Sequence, residues 1–280
     1  MLKILFPTDY SATANNAFLY ALQVCKNYQG EILVLHSYSP NIVSGSIPYQ
    51  LVESAHEGHA LGVFDFYKEQ VNQMRQLAEE NGLSEVSLKF LMEEGELLQN
   101  IQNIVAKEII DVIVMGTTGN SGLENKILGS QTAAVIKNVN IPVLSIPYLC
   151  RFEGIDAIGF TTIYDAEDAK VLQSMLPFVK VRNTDIYCVH INTDNEKYNA
   201  EKSASWKEQF KSEPVVFVEK NDDDIVKAVF DFVEEYSIDM VSCVTRNKSF
   251  FERLFESSIA QKLSYHKRIP LLTFHENMFK

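Results

Sequence analysis

The sequence predicts an α/β protein of two tandem doubly wound domains, each with a five-stranded parallel sheet of the Rossmann-like type. Short apolar runs alternate with stretches of helical spacing, which is the pattern of a parallel sheet covered by helices. The pattern also repeats. The segment from Asp111 to Pro142 matches the segment from Asp239 to Pro270, and the numbers of matching residues differ by 128 throughout. A chain of 280 residues is long enough for two such units.

In the first half, five short runs of apolar and β-branched residues predict strands that are buried on both faces. These strands are predicted at residues 2–8, 31–38, 86–92, 110–116 and 141–146. Residues 11–27 and 96–108 carry apolar side chains along one helical face, and Ser11 is the candidate N-cap of the earlier helix. The stretch 39–62 is long and mixed in composition, so it is predicted to be either a lid beside the binding crevice or part of a dimer contact.

The second half follows the same scheme. Its strands are predicted at residues 154–161, 184–191, 214–219, 239–245 and 269–274. The joint falls near residues 148–153, which divides the chain into domains 1–147 and 153–280. The last strand of each half is predicted to be an edge strand. Because unpaired edges invite pairing, the two halves are expected to pair there as an intrachain pseudo-dimer, and further homodimerisation is left open.

Composition disfavours several classes of protein. The 37 acidic and 25 basic side chains give a net charge of −12, which argues against binding to nucleic acid because phosphate backbones attract basic surfaces. No apolar run approaches the ~20 residues that a membrane span needs, and the N-terminus is too short in apolar residues for a signal peptide, so we expect a cytoplasmic protein. The four cysteines lie far apart, and neither a disulfide framework nor a metal site is predicted.

Glycines are concentrated in the first half, since ten of the twelve precede residue 148. A loop that wraps phosphate needs such residues for close backbone approach. After strand 110–116, Gly116 and Gly119 let the chain turn, and Gly129 with Ser130 opens a helix whose free N–H groups and dipole favour an anion. The spacing is neither that of a P-loop nor GxGxxG. Spacing alone leaves two alternatives, a phosphate-binding loop and a glycine-rich turn with an ordinary N-cap.

The spacing Gly-x2-Gly-x9-Gly-Ser from Gly116 to Ser130, followed by a helix and the run Ile-Pro-Val-Leu, resembles the adenine-nucleotide motif of the universal stress protein family. The runs 4–9 and 33–37 resemble that family's first and second strands. The resemblance covers the first half and, more weakly, the second, so the chain resembles a tandem member. It implies a fold of the adenine nucleotide alpha hydrolase-like class, ATP held on the glycine loop, and domains that pair through the last strand.

By position, the resemblance implies a nucleoside slot and a phosphate cradle. Asp9 would accept hydrogen bonds from the ribose or lie beside the base, with capping of helix 11–27 as its alternative role. The resemblance implies that the rest of the slot is lined by Thr8, Ser37, Met115 and Gly116. It implies that the phosphates are bound by Gly119, Gly129, Ser130 and Gln131.

The second half departs from the motif. The glycines at positions 116, 119 and 129 become Val244, Asn247 and Ser257, and only the serine is kept, as Ser258. Aligning Thr8 with Thr161 places Thr162 where Asp9 stands. The second half is therefore predicted to be a degenerate domain without the ligand, which leaves one nucleotide site in each chain.

These features predict a stress-response sensor or regulator that binds an adenine nucleotide, ATP with or without Mg²⁺, and acts through an unidentified protein partner. The alternatives are a slow ATP hydrolase of the same fold and a ligand-free interaction module. Hydrolysis needs cationic groups, but the first half offers only Lys126 near the loop and no arginine between residues 76 and 150. No catalytic residue is predicted. His36 and His190 stand at matching strand ends and are expected to be buried or to line the crevice.

Overall fold

The computed structural model describes residues 1–39, 49–117, 129–193, 200–245 and 269–279, and of residues 49–61 it describes only the helical backbone. The first half contains the strands β1 (Lys3–Pro7), β2 (Glu31–Tyr38), β3 (Ser87–Glu94), β4 (Val112–Gly116) and β5 (Val143–Ile146). Its helices are α1 (Ala12–Asn27), α2 (Tyr49–Glu80), α3 (Leu97–Val105) and α4 (Ser130–Asn138). The five strands predicted here are confirmed, with ends that shift by a residue or two.

The described part of the second half repeats this succession. Its strands are β6 (Ala157–Thr161), β7 (Asp185–Asn192), β8 (Val215–Asn221), β9 (Met240–Val244) and β10 (Leu271–Phe274). Its helices are α5 (Ala166–Arg182), α6 (Ala200–Gln209) and α7 (Ile225–Glu235). The predicted strands are confirmed here too, although β6 begins three residues later than expected because Gly154, at φ 119°, still belongs to the connection between the halves.

The ten strands form one sheet in the order β3-β2-β1-β4-β5-β10-β9-β6-β7-β8. Neighbouring strands are parallel within each half, so each half is a five-stranded parallel sheet, as the alternating pattern predicts. In the first half, the chain moves outward from β1 through β2 to β3 and then returns to the other side of β1 with β4. The carboxyl ends of β1 and β4 therefore flank the point where a doubly wound sheet opens a crevice.

The two halves are joined by the antiparallel pair β5 and β10, as predicted for the last strands. Leu144 lies opposite Leu272, and the Thr273 hydroxyl donates to the Val143 carbonyl at 3.1 Å. Each half thus removes the other's unpaired edge, which would otherwise be open to pairing with another chain.

The strand register aligns the first strands of the two halves differently from the alignment that residue identity suggests. In β1, Phe6 lies opposite Val34, and in β6, Phe160 lies opposite Cys188, so both strands of the pair are offset by 154. Thr8 therefore corresponds to Thr162, and the alignment of Thr8 with Thr161 was wrong by one residue. The counterpart of Asp9 is Ile163 and not Thr162. The alignment by residue identity failed because it compared only the first strand of each half and did not take account of the strand that pairs with it.

The repeated aspartates have a structural role. One carboxylate oxygen of Asp111 accepts a hydrogen bond from the Lys3 amide at 2.7 Å, which holds the start of β1 against β4. In the second half, Asp239 accepts from the amides of Asp156 and Ala157 at 2.8 and 2.9 Å. Hydrogen bonds from amides to a carboxylate are worth roughly 1.5–3 kcal/mol. The acid at the head of each copy of the repeat therefore fixes the first strand of its half.

Two apolar layers cover the sheet. Helices α1, α2, α5 and α6 pack on one face, and α3, α4 and α7 pack on the other. Alternate residues of β1 point to opposite faces of the sheet. Ile4 and Phe6 pack in the layer that contains α1, and Leu5 packs in the layer that contains α3. All three are fully buried, and each contributes about 1.5–3 kcal/mol by leaving water. Burial on both faces explains why the strands read as continuous apolar runs.

The extra length of the first half lies between β2 and β3. The residue opposite Val34 is Phe90, whereas the residue opposite Cys188 is Phe217, so the offset falls from 154 to 127 across this connection. Much of the predicted lid stretch 39–62 belongs to α2, a helix of 32 residues whose counterpart α6 has 10. The remainder of that stretch, residues 40–48, lies outside the described residues. No helix in the described part of the chain combines the length and the apolar character that a membrane span requires.

Candidate functional site

A cavity of about 390 Å³ lies at the carboxyl ends of β1, β2 and β4 in the first half. Its volume is within the range of ~300–1,000 Å³ that is usual for small-molecule sites. Of the nine residues predicted for the site, eight line this cavity, and these are Thr8, Asp9, Ser37, Met115, Gly116, Gly129, Ser130 and Gln131. The ninth, Gly119, lies outside the described residues, as does Lys126.

Six further residues line the cavity, namely Pro7, Ser11, Ala14, His36, Leu97 and Thr132. Helical spacing offers a signal for Ala14 and Thr132, because both lie in the first turn of a helix that begins at the crevice. His36 was expected either in the core or at the crevice, and it lines the crevice. No sequence signal marks Leu97, which reaches the cavity because α3 begins directly after the turn that follows β3.

The turn after β1 positions Thr8 and Asp9. Thr8 extends the β1–β2 ladder, since its amide donates to the Leu35 carbonyl at 2.9 Å. Its hydroxyl then accepts from the amide of Tyr10 at 3.0 Å, and Tyr10 takes the left-handed conformation at φ 59°. Asp9 accepts from the amide of Ser11 at 3.0 Å. These local bonds fix the chain as it leaves the sheet and enters α1.

Ser11 is the N-cap of α1, as predicted, with its hydroxyl accepting from the amide of Ala14 at 3.2 Å. The alternative role of Asp9 is therefore met in part, because its carboxylate stabilises the turn before the cap while the cap itself is Ser11. Asp9 is exposed and lines the cavity, so the local bond does not remove it from the crevice.

Gly116 ends β4 where the strand passes close to α1. A Cβ atom at this position would lie 2.9 Å from Thr13 Cγ2 and 3.2 Å from the Thr13 carbonyl oxygen. The Gly116 carbonyl also accepts from the Thr132 hydroxyl at 2.9 Å, which ties the first turn of α4 to the strand. The absence of a side chain at Gly116 is thus required by packing between α1 and β4, before any ligand is considered.

The first turn of α4 faces the cavity with little capping of its own. Gly129 is the N-cap and provides no side chain, and Ser130 and Gln131 are exposed. The Gly129 amide donates to the Thr117 carbonyl, so the residues on either side of segment 118–128 meet at the cavity. None of the described lining residues is a lysine or an arginine. The attraction for an anion at this place therefore comes from amide groups and the helix dipole.

His36 and Ser37 line the cavity at the end of β2. The ring nitrogen Nδ1 of His36 lies 3.1 Å from the Thr8 carbonyl, so Nδ1 carries the hydrogen and donates it. The ring of Tyr10 lies 4.8 Å from the His36 ring, centroid to centroid. The Ser37 hydroxyl accepts from the Asn100 side-chain amide at 3.1 Å, which leaves the hydroxyl hydrogen for a further bond. The slot thus has oriented polar groups beside apolar walls.

The second half has the same turn after its first strand, but residues near this turn differ from those of the first half. Thr162, Tyr164 and His190 repeat the contacts of Thr8, Tyr10 and His36, including the bond from His190 Nδ1 to the Thr162 carbonyl at 2.8 Å. Val244 replaces Gly116 and is buried. Asp168 is also buried, at 2% exposure, and burial raises the pKa of its carboxyl to about 6, against smaller opposing effects of hydrogen bonds from Ile163 and Thr162.

A second cavity, of about 300 Å³, lies between α1 and α5 where the two halves meet. Its walls are almost entirely apolar, with Val24 from the first half and Met175 and Phe178 from the second. The carboxylate that touches it, Asp111, already accepts from the Lys3 amide. The described residues around this cavity offer few groups that could orient a polar ligand, so of these two cavities the first is the better candidate for a polar ligand.

Metal and thiol chemistry have no support in the described part of the chain. No group of three or more acidic, histidine or cysteine side chains is close enough to hold a metal ion there. The four cysteines are free and buried, and burial raises the pKa of the thiols of Cys25, Cys150 and Cys243 to about 12. Buried thiols of this kind are inert rather than nucleophilic.

The sequence matches the model of the family described as "Universal stress protein family" over residues 1–147. A universal stress protein of Methanocaldococcus jannaschii is 32% identical over 142 residues, which are 51% of this chain and 79% of that protein. Another from the same organism is 30% identical over 150 residues, covering 51% of this chain and 92% of the relative.

Solved structures resemble the whole chain. A universal stress protein from Archaeoglobus fulgidus DSM 4304 has the same fold over 98% of both chains, with a TM-score of 0.71 and 16% identity. A protein from Pseudomonas aeruginosa PAO1 covers 99% of this chain and 93% of its own, with a TM-score of 0.59 and 12% identity. At these identities the likeness concerns the fold, and it extends to both halves.

Proposed function

Because the chain belongs to the universal stress protein family, we propose that it binds one adenine nucleotide, ATP, in the first half and acts as a stress-response sensor or regulator. Domain 1–147 is the nucleotide-binding domain in this proposal, and domain 153–280 is a degenerate copy that keeps the fold. Nucleotide binding would alter the surface that an unidentified protein partner, or a second copy of the chain, recognises.

The observation that carries the proposal is the convergence of eight predicted site residues on one cavity. They come from the ends of β1, β2 and β4 and from the start of α4, which are distant in sequence. The cavity has an apolar slot with oriented polar groups at β2 and an uncapped helix start at α4. Those two surfaces suit the two ends of a nucleotide, a flat base with a ribose and a chain of phosphates.

We assign the residue roles as the family motif implies them, and the position of these residues around the cavity supports the assignment. The nucleoside would lie against Thr8 and Ser37, with Met115 below it and Asp9 accepting from the ribose hydroxyls. The phosphates would meet the amides of Gly129, Ser130 and Gln131 at the start of α4. Gly119 is assigned to the phosphates by the family motif alone. Mg²⁺, if it accompanies ATP, would be bound chiefly by the phosphates, because the described residues offer no three-ligand group.

Binding rather than turnover fits the chemistry of the cavity. Phosphoryl transfer requires charge neutralisation by cationic groups and a positioned nucleophile. The described lining residues include no lysine or arginine, and Asp9, the carboxylate among them, is engaged with the Ser11 amide. We therefore place hydrolysis, if present, at a slow rate incidental to binding.

Calorimetric measurement of the binding of ATP and of adenosine to the full chain tests the proposal. Wild type should bind ATP with one site per chain. Ser130→Glu places a carboxylate beside the phosphates and should weaken ATP by about tenfold or more while changing adenosine little, because only the phosphates meet the added charge. Ser130→Gln is the matched control of similar size without charge.

Three results would overturn the proposal. Absence of adenine nucleotide binding would leave a ligand-free interaction module. Two nucleotides per chain would contradict the degenerate second half. Rapid release of phosphate from ATP would show that the protein is an ATP hydrolase and not a sensor that only binds the nucleotide.

A further inference from the structure

The turn after the first strand is built alike in the two halves. The hydroxyl of Thr8 accepts from the Tyr10 amide at 3.0 Å, and the hydroxyl of Thr162 accepts from the Tyr164 amide at 2.9 Å. The two tyrosines have φ angles of 59° and 58°. Because an amide can only donate, each hydroxyl receives that bond and has its own hydrogen left to give. The two hydroxyl groups are therefore oriented alike.

The helix that follows differs in sequence between the halves, and one of the differences lies at its third residue. Helices α1 and α5 begin at Ala12 and Ala166, and both numbers and strand registers differ by 154. The third residue of α1 is Ala14, and the third residue of α5 is Asp168. Alanine in the first half thus corresponds to a carboxylate in the second, directly behind matching turns.

In the second half, this carboxylate receives the hydrogens that the turn provides. The Thr162 hydroxyl donates to Asp168 Oδ2 at 2.9 Å, and the Ile163 amide donates to the same oxygen at 3.0 Å. In the first half, the Ala14 side chain has no polar atom to accept the Thr8 hydroxyl hydrogen. Thr8 and Ala14 instead both line the 390 Å³ cavity.

We infer that Asp168 occupies, in the second crevice, the position that a hydrogen-bond acceptor of the ligand occupies in the first. The Thr8 hydroxyl is then a donor that selects for an acceptor oxygen on the ligand, and Ala14 is the residue that leaves room for it. Asp168 closes the second crevice from within by supplying that oxygen itself. The inference rests on the proposed function, because it takes the first crevice as a nucleotide site.

The inference explains the difference between the halves by one side chain near the turn, independently of the glycine loop. Replacement of glycines in the second half is predicted to remove the phosphate cradle, but it would not by itself fill the nucleoside slot. A buried carboxylate bonded to the turn would occupy that slot, and its own hydrogen bonds are satisfied there. On this inference the second crevice is closed even to a ligand without phosphates.

The test transfers the carboxylate to the first half. Ala14→Asp should bond to the Thr8 hydroxyl as Asp168 bonds to Thr162, and it should weaken both ATP and adenosine by at least about tenfold, because it takes the acceptor's place rather than acting on the phosphates. Ala12→Asp is the matched control. It adds the same charge to the same helix end at an exposed residue, and it should leave binding of adenosine within about threefold of wild type.

The outcomes separate this inference from the proposed function. If wild type binds no adenine nucleotide, the function fails, and a crystal structure of Ala14→Asp decides the inference alone. A carboxylate oxygen within about 3.2 Å of Thr8 Oγ1 supports it, and a carboxylate turned away from Thr8 overturns it. If wild type binds and Ala14→Asp binds equally well, the inference is overturned while the function stands. An Ala14→Asp chain that does not fold also overturns it, because the inference asserts that the space exists.

Discussion

Gly116 and Thr13 are packed so closely that a Cβ atom on the glycine would lie 2.9 Å from the threonine Cγ2. This contact joins the end of β4 to the first turn of α1, both of which border the cavity. A glycine in a phosphate-binding motif is commonly explained by the approach of the ligand. Here the approach of a neighbouring helix already demands it. Substitution of Gly116 therefore tests packing and binding together, which is why Ser130 is the better position for testing the phosphate site.

We expect Gly116→Ala to lower the free energy of unfolding by about 1–3 kcal/mol without any ligand present, because the added methyl overpacks a buried contact. Urea denaturation of the full chain measures it. Gly116→Ala combined with Thr13→Ser should recover part of the loss, since the serine lacks Cγ2. The recovery should be incomplete, because the Thr13 carbonyl lies 3.2 Å from the added Cβ.

Gly62→Ala is the control for the general effect of replacing glycine. Gly62 lies in α2 with nothing within 4 Å of an added Cβ, so alanine there should raise stability by up to about 1 kcal/mol through helix propensity. Equal stability of Gly116→Ala and wild type would show that α1 yields at this point and that the contact is not limiting.

Gly159 and Phe232 form a second contact of this kind in the core of the second half. An added Cβ at Gly159 would lie 2.7 Å from the edge of the Phe232 ring, which is fully buried. In the first half, the same pair of positions holds Leu5 and Ile104, two side chains of equal size, whereas the second half has no side chain on the strand and a large aromatic ring on the helix. The two halves thus divide the space between strand and helix differently.

We expect Gly159→Ala to destabilise the protein by about 1–3 kcal/mol, and Phe232→Leu to destabilise it separately by leaving space. Together they should cost less than their sum, with a coupling of about 0.5–3 kcal/mol, because each substitution compensates for the other. A double-mutant cycle from chemical denaturation measures the coupling. Strict additivity would mean that Phe232 turns aside freely and does not depend on the glycine.

Asp168 should make stability depend on pH in the opposite sense to an ordinary surface carboxylate. Burial raises the pKa of its carboxyl from 3.8 to about 6 in the folded chain. The folded state therefore binds the proton more tightly than the unfolded state. The contribution of this group to stability is full below about pH 4 and is lost as the pH rises through about 6. At 1.36 kcal/mol for each pKa unit, the loss amounts to about 3 kcal/mol.

The comparison of wild type with Asp168→Asn measures this effect. The free energy of unfolding of wild type, relative to Asp168→Asn, should fall between about pH 4 and about pH 8. Glu167→Gln removes a neighbouring and less buried carboxylate from the same helical turn, and its profile should fall in the same way as that of wild type, with a slightly smaller amplitude because the Glu167 charge adds a little to the raised pKa of Asp168. Profiles of wild type and Asp168→Asn that run parallel would show that the Asp168 pKa is the same in the folded and unfolded chains.

The pattern of the sequence predicted the elements and their arrangement because both depend on properties that are local along the chain. Apolar runs such as 31–38 became strands at the expected residues, and Ser11 became the N-cap of α1. The repeat at an offset of 128 indicated two equal halves, and their unpaired last strands indicated the seam between β5 and β10. Eight site residues could be named in advance because the resemblance to a family motif assigns roles to residues at strand ends and at a helix start.

The match of Thr8 with Thr162 could not be read from the sequence, because a one-residue shift preserves the resemblance of the two segments. Only the pairing of β1 with β2 and of β6 with β7 distinguishes the two alignments. Ala14 was not named as a site residue, because its place in the first turn of α1 is only a weak signal and an alanine in a helix is ordinary. Its role beside the cavity can be recognised only from the structure, in which Asp168, at the equivalent position, is hydrogen-bonded to the turn of the second half.

By itself, then, the order of residues determined that the chain forms two doubly wound halves and that these share an edge. It also determined which half has the glycines for a phosphate-binding loop. Hydrophobic periodicity and backbone freedom suffice for this, because both act over a few neighbouring residues. The tertiary structure decided which residues meet, such as Thr13 with Gly116 and Asp168 with Thr162. These contacts depend on how closely a helix approaches a strand and on which side chains face each other there, and neither is set by residues that are neighbours in sequence.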